Sequence, residues 1–267
     1  MLKDITLGQY FPGNSIVHRL DAGIKIIITV IFIIMLFAAD NFISAGIGVA
    51  FMVMSYLLTK ISPSLMVKSL KPVLPVLLIT GVLNIFFYEG EVIFKLGFIK
   101  ITDEGIKNAG FMLVRVISLI IGSSVLTYTT SPIELTNAIE KLLSPLKKFK
   151  LPVHELAMMM TIALRFIPTL IEETDKIISA QKARGADFEN GTLRERASAV
   201  VPILVPLFVS AFRRAEELAL AMECRCYRGG EGRTKMRQTH IKPFDLVALG
   251  ISVIFLAAII SVNVFFK

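Results

Sequence analysis

Two arginines end long amphipathic stretches of the chain, and their chemistry suits docking rather than catalysis. They are the central residues of Ala183-Arg184-Gly185 and Cys224-Arg225-Cys226. Arginine carries a permanent charge on a planar fork that binds carboxylates and carbonyl oxygens, and small neighbours let a partner's backbone approach. Many helices end with a left-handed glycine and a basic residue in the last turn, so helix capping alone would explain one such triplet. Because the triplet recurs, it predicts two docking points for a partner with twofold or pseudo-twofold symmetry.

The chain lacks the sequence patterns of nucleotide hydrolysis and of common hydrolytic sites. It contains no Gly-x-x-x-x-Gly-Lys-Ser/Thr loop, no Gly-x-Ser-x-Gly elbow and no His-Glu-x-x-His site. Cys224 and Cys226, its only cysteines, lack the four-ligand pattern of a structural zinc site. His154-Glu155 is an isolated pair, better explained as a helix start than as metal ligands. We therefore expect no enzyme activity, no metal and no cofactor on this chain.

The composition predicts an integral membrane protein. Of 267 residues, 54% are hydrophobic and only 19% are charged, whereas ordinary soluble domains are about a quarter charged. The net charge is +8, but the basic residues flank apolar stretches, where membrane orientation explains them. Tryptophan is absent and no alternation of aromatic and basic residues appears, so nucleic acid is not an expected partner.

Five stretches are apolar enough to cross a bilayer, for which a helix needs about 20 residues. They are Ile24–Ala39, Phe42–Thr59, Pro72–Tyr88, Ala109–Tyr128 and Leu246–Phe266. The first two are expected to form a tight hairpin. Arg115 interrupts the fourth and is either functional or an anchor to neighbouring helices. Residues 89–108 alternate loosely and indicate a short external hairpin or a loop.

The fold class is therefore an all-α integral membrane protein with about five spans and long cytoplasmic or interfacial amphipathic helices between the fourth and the last. We divide it into a membrane domain of residues 1–128, a cytoplasmic coupling domain of residues 129–243 and a final transmembrane helix at 244–267. Three lysines at 60–71 and eighteen lysines or arginines at 129–245 predict a cytoplasmic N-terminus and an external C-terminus.

Three helices are expected in the coupling domain. Ser131-Pro132-Ile133-Glu134 has the pattern of a capped helix start, and that helix stops at Ser144-Pro145. The stretches Val153–Arg184 and Leu193–Tyr227 each combine apolar and charged parts, so they are expected to lie at or below the membrane interface. Between the first helix and the stretch Val153–Arg184, a basic cluster contains Lys147, Lys148 and Lys150. It either binds anionic lipid headgroups or is a solvated face.

Three further segments carry a family resemblance. They are His18-Arg19-Leu20-Asp21-Ala22-Gly23-Ile24-Lys25, Ala163-Leu164-Arg165-Phe166-Ile167-Pro168 and Arg213-Arg214-Ala215-Glu216-Glu217-Leu218-Ala219-Leu220-Ala221-Met222-Glu223. With the two arginine triplets, they resemble the transmembrane T-component of energy-coupling factor transporters, the EcfT/CbiQ family. Two departures stand out: the second triplet reads Cys-Arg-Cys, and Asp21-Ala22-Gly23 replaces the family's usual Asp-Pro-Arg.

The resemblance implies a non-catalytic scaffold of an ABC-type importer for vitamins or metal ions in a prokaryotic cell membrane. It would link two cytoplasmic ABC-type ATPases, identical or different, to a membrane-embedded substrate-binding S-component, with ATP and Mg²⁺ held by the ATPases. The arginine triplets would contact the ATPases. An adaptable apolar face for the S-component would include Met158, Met159, Pro202, Pro206 and Met222.

Two other classes of function remain open from the residues alone. A conventional ABC-type permease or a secondary transporter would bind its substrate itself, at polar residues around a cavity at mid-membrane depth. A membrane-embedded enzyme would need clustered histidines or acids at that depth. The first, second and fifth spans are almost wholly apolar, which favours neither class.

Overall fold

The computed structural model describes residues 10–87, 92–96, 99–149, 151–186, 192–230 and 242–265. These residues form helices almost throughout, which confirms the all-α membrane class. The elements are α1 Ala22–Ala38, α2 Phe42–Thr59, α3 Pro63–Leu70, α4 Leu74–Phe87, β1 Val92–Leu96, β2 Ile99–Thr102, α5 Asp103–Thr129, α6 Pro132–Leu143, a 3-10 helix at Ser144–Phe149, α7 Val153–Ala183, α8 Leu193–Cys224 and α9 Pro243–Phe265.

The short strands β1 and β2 pair antiparallel, so the hairpin alternative for residues 89–108 is correct. The backbone pairs run from Val92 opposite Thr102 to Leu96 opposite Ile99. Residues 88–91 and 97–98, which precede and connect the strands, lie outside the described residues.

Backbone contacts divide the chain into two compact units. The bundle unit contains residues 8–135 and 238–267, and the long-helix unit contains residues 136–237. The first holds α1 to α5 and α9, and the second holds α7 and α8. Because contacts carry no information about the side of a membrane, the domains predicted at 1–128, 129–243 and 244–267 stay predictions.

Five of the described helices are long and apolar enough to span a membrane, and three of them match the second, fourth and last predicted spans. The five are Phe42–Thr59, Asp103–Thr129, Val153–Ala183, Ser198–Cys224 and Pro243–Phe265. Two of them belong to α7 and α8, which the sequence placed at the interface. The first predicted span is α1, an apolar helix of only 17 residues. The last predicted span agrees with α9, although Phe266 lies outside the described residues.

The third predicted span, Pro72–Tyr88, is one half of a bent pair of helices. Helix α4 begins at Leu74 and has 14 residues, and it is bent by 62° from α3. Pro72 has no N–H, so it cannot donate the helical hydrogen bond to the carbonyl of Lys68, and a turn at residues 71–73 separates α3 from α4. The pair counts as one further span if it crosses as a unit.

The core of the bundle unit lies where α1, α2, α5 and α9 meet. Phe32 and Leu36 of α1 pack with Phe51 and Met52 of α2, and all four are buried. The rings of Phe32 and Phe51 are stacked with centroids 5.8 Å apart. Gly122 of α5 lies so close to the Phe32 ring that an added Cβ would be 2.1 Å from its Cε1 atom. A residue without a side chain is what lets α5 approach α1 here.

Two buried charged side chains join the ends of three helices in the bundle unit. The carboxylate of Asp245, at the start of α9, accepts hydrogen bonds from the backbone N–H groups of Asp21 (3.0 Å) and Lys242 (2.7 Å). The ammonium of Lys25 donates to the carbonyl of Thr129 at 2.9 Å. Since Asp21 and Lys25 both lie at the start of α1, these bonds join that start to the start of α9 and the end of α5.

Arg115 is an anchor between helices, which was one of its two interpretations. Its Nη2 atom donates to the carbonyl of Ala39, the residue that ends α1, at 2.6 Å. Its guanidinium also lies 4.7 Å from the centroid of the Phe111 ring. A cation at a helix C-terminus satisfies open carbonyls and complements the helix dipole, so Arg115 stabilises the end of α1 from α5.

Candidate functional site

Helix α7 ends in a Schellman motif that places Arg184 at the cap. Gly185 has a φ of +87° and donates its N–H to the carbonyl of Lys182 at 3.0 Å. Ala186 donates its N–H to the carbonyl of Gln181, also at 3.0 Å. This pair of bonds satisfies carbonyls that the helix end leaves open. The left-handed glycine predicted from the sequence is therefore confirmed.

Helix α8 ends in the same motif, with Arg225 at the corresponding position. Cys226 donates its N–H to the carbonyl of Glu223 at 2.8 Å, and Tyr227 donates its N–H to the carbonyl of Met222 at 3.0 Å. Cys226 has a φ of +56°, in the region that costs a non-glycine residue about 1–2 kcal/mol. The Cys-Arg-Cys triplet thus adopts the backbone of Ala-Arg-Gly despite its different residues.

Both arginine tips are open to a partner in this structure. All six residues of the triplets, Ala183, Arg184, Gly185, Cys224, Arg225 and Cys226, are exposed, and both thiols are free. The Schellman motifs fix the backbone on each side of the arginines, so each side chain projects from a rigid base. Exposure and rigidity suit a docking contact, while the role of each residue in docking stays a prediction.

The tips lie at opposite ends of an antiparallel helix pair. Glu173 of α7 contacts Ser210 of α8, and Gly230, just past α8, lies against His154 in the first turn of α7. A Cβ on Gly230 would be 2.5 Å from Cδ2 of that histidine. Residues nearer the start of α7 therefore contact residues nearer the end of α8, so the two helices are antiparallel. With a rise of about 1.5 Å per residue, the two tips are on the order of 40 Å apart.

Glu173 joins the two helices near the middle of α7. Its carboxylate accepts hydrogen bonds from the hydroxyl of Ser210 and from Arg214, whose Nη2 atom is 2.8 Å away. Glu172 is exposed, whereas the side chain of Glu173 is 24% exposed because it lies against α8. The signal that could have found the joint is the four-residue spacing of Ser210 and Arg214, which places them on one face of α8.

Replacing Glu173 with alanine is expected to weaken the joint between α7 and α8 by about 0.5–1 kcal/mol, because both its partners lose a half-exposed acceptor. Glu172→Ala, a change of the same type one residue away, is the control and should have no measurable effect. Thermal unfolding in detergent of Glu173→Ala, Arg214→Ala and the double variant tests the contact. Strict additivity of the two changes would show that the residues do not interact.

The residues predicted to form the apolar face differ in their exposure. Met159, Pro202 and Pro206 are exposed, whereas Met158 and Met222 are half-buried. The sequence analysis missed the larger side chains of α8, of which Phe208 and Phe212 are 61% and 67% exposed. Apolar side chains at this exposure suit contact with lipid or with another membrane protein.

The bundle unit contains a mainly apolar cavity of about 310 Å³ lined by α1, α2, α5, α9 and the segment before α1. Its polar lining residues are Lys25, Thr29, Ser55 and Thr129. The ammonium of Lys25 already donates to His18, Thr129 and Thr130. Since the charged lining group among the described residues is engaged by the protein itself, the cavity does not favour a chain that binds a polar substrate.

Comparison with known proteins decides the family. Residues 13–236 match the family model CbiQ, described as cobalt transport protein. The chain belongs to the CbiQ family. Relatives named energy-coupling factor transporter transmembrane protein EcfT include one from Ruminiclostridium cellulolyticum, 52% identical over 100% of both chains. The protein of that name from Bacillus subtilis is 49% identical over 97% of this chain and 98% of its own, and that from Listeria innocua is 47% identical over 89% and 90%.

The family resemblance predicted from the sequence is thus confirmed over the full chain. This CbiQ-family chain is the transmembrane component of an energy-coupling factor transporter and a multi-pass membrane protein. The match extends from the segment before α1 to a point beyond the second arginine tip. It therefore includes both Schellman motifs and the joint at Glu173.

Proposed function

We propose that this chain transmits ATP-driven movement of two cytoplasmic ABC-type ATPases to a membrane-embedded, substrate-binding S-component. The observation that carries the proposal is the pair of matching Schellman motifs, each presenting an exposed arginine at one end of an antiparallel helix pair. Tips on the order of 40 Å apart suit two separate subunits better than one. The chain is then the non-catalytic subunit, and the ATPases bind ATP and Mg²⁺.

Each tip acts by inserting its arginine into a groove on one ATPase. The guanidinium donates charge-assisted hydrogen bonds to carboxylates or carbonyls there, and these bonds are stronger than neutral ones. When ATP binding closes the two ATPases, the tips move with their grooves. Because Glu173 of α7 is bound to Ser210 and Arg214 of α8, the movement is transmitted along both helices rather than absorbed at one end.

The apolar side chains of α7 and α8 provide the surface for the S-component. Met158, Met159, Pro202, Pro206 and Met222 form the part of it identified from the sequence, and Phe208 and Phe212 extend it. Methionine side chains adapt to differently shaped neighbours, which suits a scaffold that serves vitamin or metal-ion uptake through different S-components. The tips then lie in the cytoplasm, with the N-terminus inside and the C-terminus outside.

Co-purification of the unmodified chain tests the proposed function. The chain, expressed in a prokaryotic host together with ABC-type ATPases from its own source, should purify as a stable complex with two ATPase subunits. Mass spectrometry should also find one small membrane protein that binds the transported substrate. A chain that purifies without ATPases and binds or transports substrate by itself would support the permease alternative instead.

A further inference from the structure

One exposed segment of the long-helix unit has no role in the coupling proposal. It contains residues 141–152, from the last turn of α6 through the 3-10 helix to the start of α7, and we name it the basic–apolar segment. It has four lysines and no acidic residue. Every residue in it whose side chain the structure describes is exposed. Lys150 lies outside the described residues and belongs to the segment by sequence alone.

Apolar side chains alternate with the lysines along this segment. Phe149 is 80% exposed, the second highest value among the large apolar side chains described. Leu142, Leu143, Leu146 and Leu151 are 37–46% exposed. A basic segment that also presents an aromatic and several leucines has the composition of elements that lie in the interface plane of a membrane.

We propose that the basic–apolar segment binds the anionic phospholipid surface of the bilayer. Phe149 and the leucines enter the boundary between headgroups and acyl chains, and the lysines bind the phosphates of anionic headgroups. Lysine suits this position because its long apolar stem lies along the acyl boundary while its ammonium reaches the headgroups. The proposal concerns the chain itself and does not depend on the coupling function.

The side chains favour a lipid surface over the other partners of a basic segment. An acidic protein surface or a nucleic acid would engage the lysines but leave Phe149 in water. A hydrophobic protein groove would take Phe149 but would not favour three lysines within residues 147–150. An anionic bilayer meets both requirements side by side, and a membrane protein has a bilayer within reach.

A single tryptophan can report the depth of this segment, because the chain has none of its own. The full-length Phe149→Trp variant is placed in nanodiscs of phosphatidylcholine, with or without phosphatidylglycerol, and with brominated acyl chains as quenchers. We expect blue-shifted emission and strong quenching in the mixed nanodiscs, and weaker quenching in phosphatidylcholine alone. Changing Lys147, Lys148 and Lys150 to glutamine should lower the partition of the segment roughly a hundredfold, since each lysine contributes about fivefold near an anionic surface.

Ala180→Trp is the matched control, an exposed position in the last two turns of α7. Its emission and quenching should not depend on phosphatidylglycerol. The proposal is overturned if the fluorescence of the Phe149→Trp variant is water-like and unquenched in both lipids. It is also overturned if quenching is equal in both lipids, if the glutamine changes have no effect, or if Ala180→Trp responds to phosphatidylglycerol as strongly as Phe149→Trp.

Discussion

Changing both Arg184 and Arg225 to alanine is expected to abolish co-purification of the chain with its ATPases and to abolish transport. Loss of one charge-assisted contact in an interface costs about 2–5 kcal/mol, and two such contacts exceed what most complexes can lose. Each single variant should keep partial association, because the other tip still has its arginine. Pull-down of the ATPases and substrate uptake into proteoliposomes measure the two losses.

Two controls separate docking from folding and from charge. Arg213→Ala removes another exposed arginine of α8 away from the tips and should leave association unchanged. Arg184→Lys and Arg225→Lys keep the charge but not the planar fork, so they should restore association only in part. A double alanine variant with normal assembly and normal transport would contradict the coupling role of the tips, whatever the chain's thermal stability.

The change Gly122→Ala is expected to destabilise the bundle unit by at least about 1–3 kcal/mol, the usual cost of overpacking. The new Cβ would lie 2.1 Å from Cε1 and 2.8 Å from Cδ1 of Phe32. Phe32 is 3% exposed and stacked on Phe51, so its ring can make room only by leaving that stack for the cavity that Phe32, Phe51 and Gly122 line. Thermal unfolding of the purified chain in detergent should show the loss as a lower midpoint.

Gly110→Ala in the same helix is the control, because nothing lies within 4 Å of the Cβ it would add. Removing glycine from a helix interior generally stabilises by about 0.5–1 kcal/mol, so this variant should be neutral or more stable. In a Phe32→Ala background the cost of Gly122→Ala should disappear, since the colliding ring is gone. If Gly122→Ala costs as much in that background as in the natural chain, the collision is not its cause.

The predicted membrane class and most helix positions agree with the structure because both depend on local composition. Runs of apolar residues identify α1, α2, α5 and α9, and Ser131 with Glu134 forms the capping pair expected at the start of α6. The exceptions have local causes as well. The proline at position 72 separates α3 from the third predicted span. Helices α7 and α8 have apolar parts as long as a span, but their charged second halves predict an interfacial position, which length and composition alone do not test.

The sequence predicted both arginine tips, but it predicted the left-handed helix cap clearly for α7 and only in part for α8. Gly185 signals a left-handed residue because glycine adopts that backbone without strain. Cys226 gives no such signal, since a cysteine with a φ of +56° is held there by the surrounding hydrogen bonds rather than by its own preference. The structure therefore shows two equivalent caps where the residues alone suggested one clear cap and one departure.

The sequence by itself determined the helical membrane class, the family and the two arginine tips, because each depends on residue types and on spacings within one helix. Only the tertiary structure decided that the tips lie at opposite ends of an antiparallel pair, that Glu173 joins α7 to α8, and that Arg115 anchors α1. These contacts join residues far apart in the chain. Their geometry depends on how whole helices pack, and the residue pattern of one helix does not show which residues of another helix it contacts.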